Sequence, residues 1–310
     1  MRFRALLGML VFIVMTWARS PAFAQETLQA GLRERFQTDL NHVAEHLDGV
    51  MGYAIKDLVT GETFFRLPDT VFPQASSIKL TILLELMRRA QDGELSLEEK
   101  HTLRRSEAPP GDRDPILGML GDGTVTMTLR DLAVFMIVLS DNTATNILID
   151  RLGMESINAG LTRLGLKETK LRRRMIDLEA AKHGNENVST PREMLTLLEK
   201  IRGGLAMDTL DHERNVEFFG ILSLNKESEF HKALPAKAAI ADKPGALEAV
   251  RCDSGIIDVG FNHFILCVMT TYLKNDGDGE RAIEEVARLT YAYFDRRSRA
   301  SEYGRVISDK

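Results

Sequence analysis

The sequence predicts an α+β fold, in which an antiparallel sheet is flanked by terminal helices and an all-helical lobe is inserted between the two halves of the sheet. Strand-like alternation is confined to the two ends of the chain, while from Ser77 to about Phe219 apolar residues recur at helical spacing. An amphipathic helix stands at each terminus, ready to cover one face of such a sheet. The expected division is a leader at 1–24, a sheet-containing lobe from 25–76 and 220–310, and an all-helical lobe at 77–219. A cleft between the lobes is the natural place for a ligand.

Taken in order, the chain opens with Arg2 and Arg4, an apolar run ALLGMLVFIVMTWA and the small-residue site Ala22-Phe23-Ala24. That is the pattern of an export signal cleaved before Gln25, and the run is short for a permanent span of roughly 20 residues. Leu28, Leu32, Phe36, Leu40, Val43 and Leu47 then mark one helical stripe. MGYAIKD and ETFFRL, on either side of Thr60-Gly61, read as a hairpin. KLTILLELMRRA, LRDLAVFMIVLS, MESINAGLTRLG and TPREMLTLLEKIRGG supply helices, the last capped by Thr190 with Pro191 in its first turn. The strands AAIADK, SGIIDVG and HFILCVMTTYL follow, and GERAIEEVARLTYAYFDRR closes the chain as a helix. LRRSEAPPGDRDP and NDGDGE are turn-rich loops.

With 310 residues, 44% hydrophobic and 27% charged, the chain can bury a full core. A net charge of −5 gives no basic surplus for phosphate backbones, so a small-molecule or peptide substrate is expected and nucleic acid is not. No later segment is long and apolar enough to span a bilayer, so a periplasmic or secreted protein is expected; a monomer that needs no cofactor is expected as well. The two cysteines, Cys252 and Cys267, lie on either side of the turn Gly260-Phe261-Asn262 and read as buried free thiols rather than a disulfide.

Three short stretches bear on chemistry. Ser76 and Lys79 stand one turn apart at the start of the first middle-region helix, where the positive helix end favours an alkoxide and lowers an amine pKa. Alone, Ser-x-x-Lys is also what an ordinary helix cap provides. Ser140-Asp141-Asn142 follows an apolar helical run, and Lys243-Pro244-Gly245 ends a strand. In this order, and with the flanks VFPQASSIKL, SDNTATNILIDRLG and IADKPGALEAV, the three make the chain resemble class A serine β-lactamases over nearly the whole mature length.

The resemblance implies a role for each residue. Ser76 would attack the lactam carbonyl, with Lys79 accepting or relaying its proton. The backbone N–H groups of Ser76 and Ala246 would form the oxyanion hole. Ser140, assisted by Lys243, would pass a proton to the leaving nitrogen. Asn142 would hold Lys79 and the substrate amide, and Asp141 would brace the turn. Lys243, Gly245 and Ala246 would line the substrate's path.

Two departures stand out. Pro244 replaces the family's Ser or Thr and has neither hydroxyl nor N–H, which shifts carboxylate recognition to Lys243 and to Arg251 as a candidate. The second lies in LRRRMIDLEAAKHGN, where the family carries an E-x-x-L-N motif whose glutamate activates the deacylating water. Counting back from Ser189-Thr190-Pro191 puts Arg174 at that position, and counting forward from Thr169-Lys170-Leu171 puts Met175 there. The loop is therefore one residue short, and Asp177 is the candidate substitute, unless it and Glu179 simply face solvent or pair with the arginines. Without a base, a penicillin-binding, peptidase or esterase relative that acylates but deacylates slowly is the alternative reading. A sensor binding β-lactams or peptidoglycan fragments noncovalently in the same cleft is a further one. His42-Val43-Ala44-Glu45-His46 also matches a zinc-protease pattern, but the buried stripe of its helix leaves both histidines toward the polar edge.

Overall fold

The computed structural model describes residues 21–109, 123–203, 210–260 and 262–306. The leader therefore lies outside the described residues except for Pro21–Ala24, as do Phe261 of the expected turn and the far part of the Leu103–Pro115 loop.

Helix α1 (Pro21–His46) begins within the expected leader and runs without a break through the apolar stripe. Phe36, Leu40 and Ala44 are buried, but Leu28 remains 56% exposed, so the stripe works only from Leu32 onward. Strands β1 (Val50–Asp57) and β2 (Thr63–Arg66) form the predicted hairpin. The chain ends with β7 (Ala239–Leu247), β8 (Val250–Val259), β9 (Asn262–Thr271) and the helix α10 (Asp276–Ser298). These five strands make one sheet in the order β2-β1-β9-β8-β7, every neighbouring pair antiparallel. The first and last thirds of the chain thus meet through β1 and β9.

Side chains alternate across this sheet, as the pleat requires. Tyr53, Ile55, Leu266, Val268 and Ile257 pack with Phe36, Leu40, Val286 and Phe294 on the side of α1 and α10. Ala54, Ile265, Cys267, Met269, Cys252 and Ile256 join the helical side. A strand slipped by one residue would exchange the two sets, so both buried faces fix the register. Phe294 is fully buried and stacks on Phe264, and truncating it to Ala should cost about 3–5 kcal/mol.

The middle of the chain is helical: α2 (Lys79–Gln91), α3 (Leu129–Val138), α4 (Asn142–Leu152), α5 (Met154–Arg163), the short α6 (Leu178–Lys182), α7 (Pro191–Gly203) and α8 (His212–Leu222). Two small ribbons join them, β3 (Phe72–Pro73) with β6 (Val188–Ser189), and β4 (Lys100–Leu103) with β5 (Val125–Thr128). α2 is buried on all sides through its first nine residues, which makes it the central post of the lobe. α9 (Glu229–Ala233) lies beside α10. Among the described residues no helix is long and apolar enough to cross a membrane.

Candidate active site

Ser76 is set by an unusual piece of backbone. Ala75 has φ +45°, and Ala75–Ile78 form a 3₁₀ turn that runs directly into α2 at Lys79. The sequence places Ser76 in the first turn of an α-helix; the structure makes that turn 3₁₀, with three residues per turn. Positions i and i+3 then eclipse, so Ser76 and Lys79 fall one above the other more closely than in an α-helix. Ser76 is partly exposed, whereas Lys79 is fully buried. The turn is pinned from outside its own helix: Gln74 N donates to the Asn187 carbonyl at 2.8 Å, and Ser77 Oγ donates to the Lys243 carbonyl at 2.8 Å.

The Ser140 segment joins two helices. α3 ends at Val138, Ser140 has φ +56°, and Asp141 caps α4 by accepting from Ala144 N at 2.7 Å. That cap is the bracing role expected of Asp141, and it brings Asn142 to the first turn of α4. Lys79 Nζ donates to the Ser140 carbonyl at 2.6 Å, to Ser140 Oγ at 3.1 Å and to Asn142 Oδ1 at 3.2 Å. From the other side, Lys243 Nζ donates to the same Ser140 Oγ at 3.1 Å. One hydroxyl therefore accepts from the Nζ atoms of two buried lysines, which leaves its own proton to point elsewhere.

Lys243 reaches this point from β7, the outermost strand of the sheet, where a proline such as Pro244 is tolerated. Its Nζ also donates to the Pro244 carbonyl at 3.0 Å. Burial lowers the pKa of Lys243 to about 8, against the pull of Asp242 and Asp253. Asp242 precedes it in the strand and pairs with the buried Lys226 at 3.0 Å. At Gly245 the strand crosses the serine turn so closely that a Cβ would sit 2.7 Å from the Gln74 carbonyl and 2.8 Å from both Ser77 N and Cys252 Sγ. Only glycine fits there, and it lets the end of β7 lie against the serine turn.

Arg251 requires a correction. It pairs with Ala246 in the β7–β8 ladder and stands one residue from Cys252 and three from Ser254, so its side chain leaves the sheet on the opposite face, that of α10. There it meets Glu280 and Asp276 rather than joining Lys243. The expectation that it recognises a substrate carboxylate is not supported by this placement.

The loop between Thr169 and Thr190 resolves the two ways of counting. Arg174 extends outward to Asp150, 2.7 Å away, on an exposed edge of α4. Met175 is buried, and Asn146 clamps its backbone by accepting from Met175 N at 2.8 Å and donating to its carbonyl at 3.2 Å. Asn146 lies one turn along α4 from Asn142, so the inward residue at this point of the loop is a methionine. Asp177 caps α6 by accepting from Ala180 N at 2.9 Å. It also borders a cleft of about 560 Å³ with Asn146, Met175 and Glu179. Sequence reasoning missed Asn146, although its i+4 spacing from Asn142 was a usable signal. It missed Cys252 as well, whose thiol donates to the Gln74 carbonyl at 3.1 Å beneath the serine turn.

Elsewhere, the His42 and His46 rings stack 4.0 Å apart and His46 Nδ1 lies 2.8 Å from the His42 carbonyl. Both cysteines are free and buried, and burial pushes the Cys252 thiol up to about 12.

A model described as the β-lactamase enzyme family matches residues 35–294, most of the chain. The chain belongs to that family. A β-lactamase of Bacteroides uniformis is 25% identical over 238 residues, covering 71% of this chain and 78% of its own. β-Lactamase SME-1 of Serratia marcescens is 25% identical over 266 residues, 83% and 88% of the two chains. Among solved structures, a mutant of PBP-A in an acyl-enzyme complex with penicillin-G superposes with a TM-score of 0.74 at 27% identity, covering 86% of this chain and 97% of that one. The family is the class A serine type, and the protein is accordingly a β-lactam hydrolase in kind.

Proposed function

We propose that this β-lactamase opens β-lactam rings through an acyl-enzyme on Ser76. The observation that supports it most directly is the Ser140 hydroxyl held 3.1 Å from both Lys79 Nζ and Lys243 Nζ beside the Ser76 turn. In this reading the free-base form of Lys79 takes the Ser76 proton as Oγ bonds to the lactam carbonyl carbon. The N–H groups of Ser76 and Ala246 face the developing oxyanion. The proton then passes through Ser140 to the lactam nitrogen as the C–N bond breaks. Lys243 supplies charge for the substrate carboxylate, Gly245 lets the substrate-lining end of β7 lie against the serine turn, and Asn142 takes the substrate's side-chain amide. Export to the periplasm or medium, with action as a monomer, completes the proposal.

Met175 favours a second reading of the later step. A thioether cannot accept a proton from water, and loss of a positioned base slows such a step roughly 100- to 10,000-fold. The acyl-enzyme is then long-lived, in the manner of a penicillin-binding protein. A mutant of the similar PBP-A forms an acyl-enzyme complex with penicillin-G. Intact mass followed in time after adding a β-lactam tests both steps: an adduct on Ser76 must form, and its decay measures release. Slow decay with a single burst of product supports the second reading, whereas sustained hydrolysis of a chromogenic cephalosporin sinks it. Absence of any adduct, with ligand still bound, would instead indicate a noncovalent sensor.

A further inference from the structure

The tip of the β7–β8 hairpin is fastened to α10 by one side chain. Arg251 is 13% exposed, and its guanidinium is committed on every edge. Nη1 donates to the Leu247 carbonyl at 2.7 Å and the Val250 carbonyl at 2.8 Å, the two residues that close the hairpin. Nε donates to Glu280 Oε1 at 2.9 Å, and Nη2 lies 3.2 Å from Asp276 Oδ2. Asp276 also accepts from Ala249 N at 2.9 Å, so the turn residue itself is tied to the first turn of α10. Ala249 has φ +58°, a left-handed conformation that a non-glycine residue holds only when its surroundings impose it.

We propose that Arg251 is a positioning residue: it locks the β7–β8 hairpin against α10 and so fixes the backbone N–H of Ala246, its direct partner across the ladder. The proposal rests on the reading of Ala246 as an oxyanion donor. β7 is an edge strand with β8 on one side only, so its last residues have no second strand to hold them. A planar fork of five donors can bind two carbonyls and two carboxylates at once, which a lysine cannot. The lock also sets how far the hairpin can move from the serine turn, and hence how bulky an acyl substituent the mouth admits.

The test compares Arg251→Ala, Arg251→Lys and the paired variant Asp276→Asn with Glu280→Gln. Removing an oxyanion donor outright costs about 100- to 1,000-fold, so a loosened one should lower the limiting acylation rate about 10- to 100-fold. The half-saturating β-lactam concentration should change less than about threefold, since ground-state binding is made elsewhere. Arg251→Lys should fall between Ala and the parent. The acid-side variant should lose a comparable factor and add little when combined with Arg251→Ala, because the groups act as one unit. Bulky acyl side chains should lose less than small ones.

Amide hydrogen exchange from Ala246 to Arg251 reads the lock without any chemistry, and it should quicken in the variants while the rest of the sheet is unchanged. Unchanged exchange, or a lowered melting temperature with an unchanged acylation rate, overturns the proposal. A tenfold rise in half-saturation at an unaltered limiting rate overturns it in favour of direct carboxylate binding by Arg251. If the parent protein forms no Ser76 adduct, the active-site reading fails, and exchange alone still decides whether the hairpin is locked.

Discussion

The Ser140 junction and the Thr169–Thr190 loop lie on the same helix, α4, yet their polar groups are used in opposite ways. At the junction, Lys79 and Lys243 both donate to a single hydroxyl, and Asn142 Oδ1 accepts from Lys79 in turn. In the loop, nearly every polar group is turned to holding the loop itself. Asn187 Oδ1 accepts from Arg172 N at 2.7 Å and Arg173 N at 3.0 Å, and Arg173 pairs with Glu186 at 2.9 Å. Glu193 takes the N–H groups of Lys167, Glu168 and Thr169, and Asn146 takes Met175. Groups that converge on one hydroxyl are arranged for proton transfer, while groups that satisfy one another maintain a shape.

Removing the nucleophile should break this contrast most severely. Ser76→Ala is expected to abolish the mass adduct and to lower β-lactam turnover by a factor on the order of 10⁶, as loss of a nucleophile acting within a unit does. Turnover within tenfold of the parent would mean that the junction does not act on Ser76 at all.

The reverse experiment supplies what the loop lacks. Met175→Glu puts a carboxylate where Asn146 already holds the backbone, and decay of the acyl-enzyme should accelerate about 100-fold or more. Acylation should change little. A decay rate equal to the parent's would show that this position does not face the ester.

A smaller effect comes from pH. Burial holds Lys243 near pKa 8, so its charge is present below that pH and lost above it. The half-saturating concentration of a carboxylate-bearing β-lactam should therefore rise about tenfold between pH 7 and pH 9.5, the scale of losing one charge-assisted hydrogen bond. Lys243→Arg keeps its charge beyond pH 12 and should flatten that limb. The same group affects stability: an unfolded lysine titrates near 10.4, so between about pH 8 and 10.4 the unfolded chain binds more protons, and this lysine adds stability as pH rises. A flat profile for the parent enzyme would place carboxylate binding elsewhere.

Asp177→Asn should have the smallest effect on chemistry. Its carboxylate caps α6, and removing the cap altogether as Asp177→Ala should cost about 1 kcal/mol of stability. Release of the acyl group should stay within about threefold in Asp177→Asn. A hundredfold slowing with acylation intact would instead identify Asp177 as the base.

What could be read from the sequence follows the range of the forces involved. Ser76, Lys79, Ser140, Asn142 and Lys243 lie in three stretches whose local geometry is dictated within a few residues, and the alternation of apolar side chains gave the sheet and both of its covered faces. Two features needed tertiary structure. Whether Arg251 points at the cleft or at α10 depends on the parity of one residue in a ladder, and spacing alone does not supply it. Whether Arg174 or Met175 turns inward depends on Asn146, which is distant in sequence and close in space. Leu28 shows the opposite failure, because a perfect stripe position stays largely exposed among the described residues.

The two thiols have a consequence for how the chain is made. Cys252 stands opposite Met269 and Cys267 opposite Ser254, so the cysteines are diagonal neighbours with Cα atoms roughly 7–8 Å apart, beyond the reach of a disulfide. Once folded, burial keeps both protonated and inaccessible. Before folding they are separated by only a short stretch of chain and can meet freely, and a bridge between them would lock β8 and β9 out of register. In an oxidising medium folding thus becomes a race between sheet formation and oxidation, and refolding yield should improve when a reductant is present.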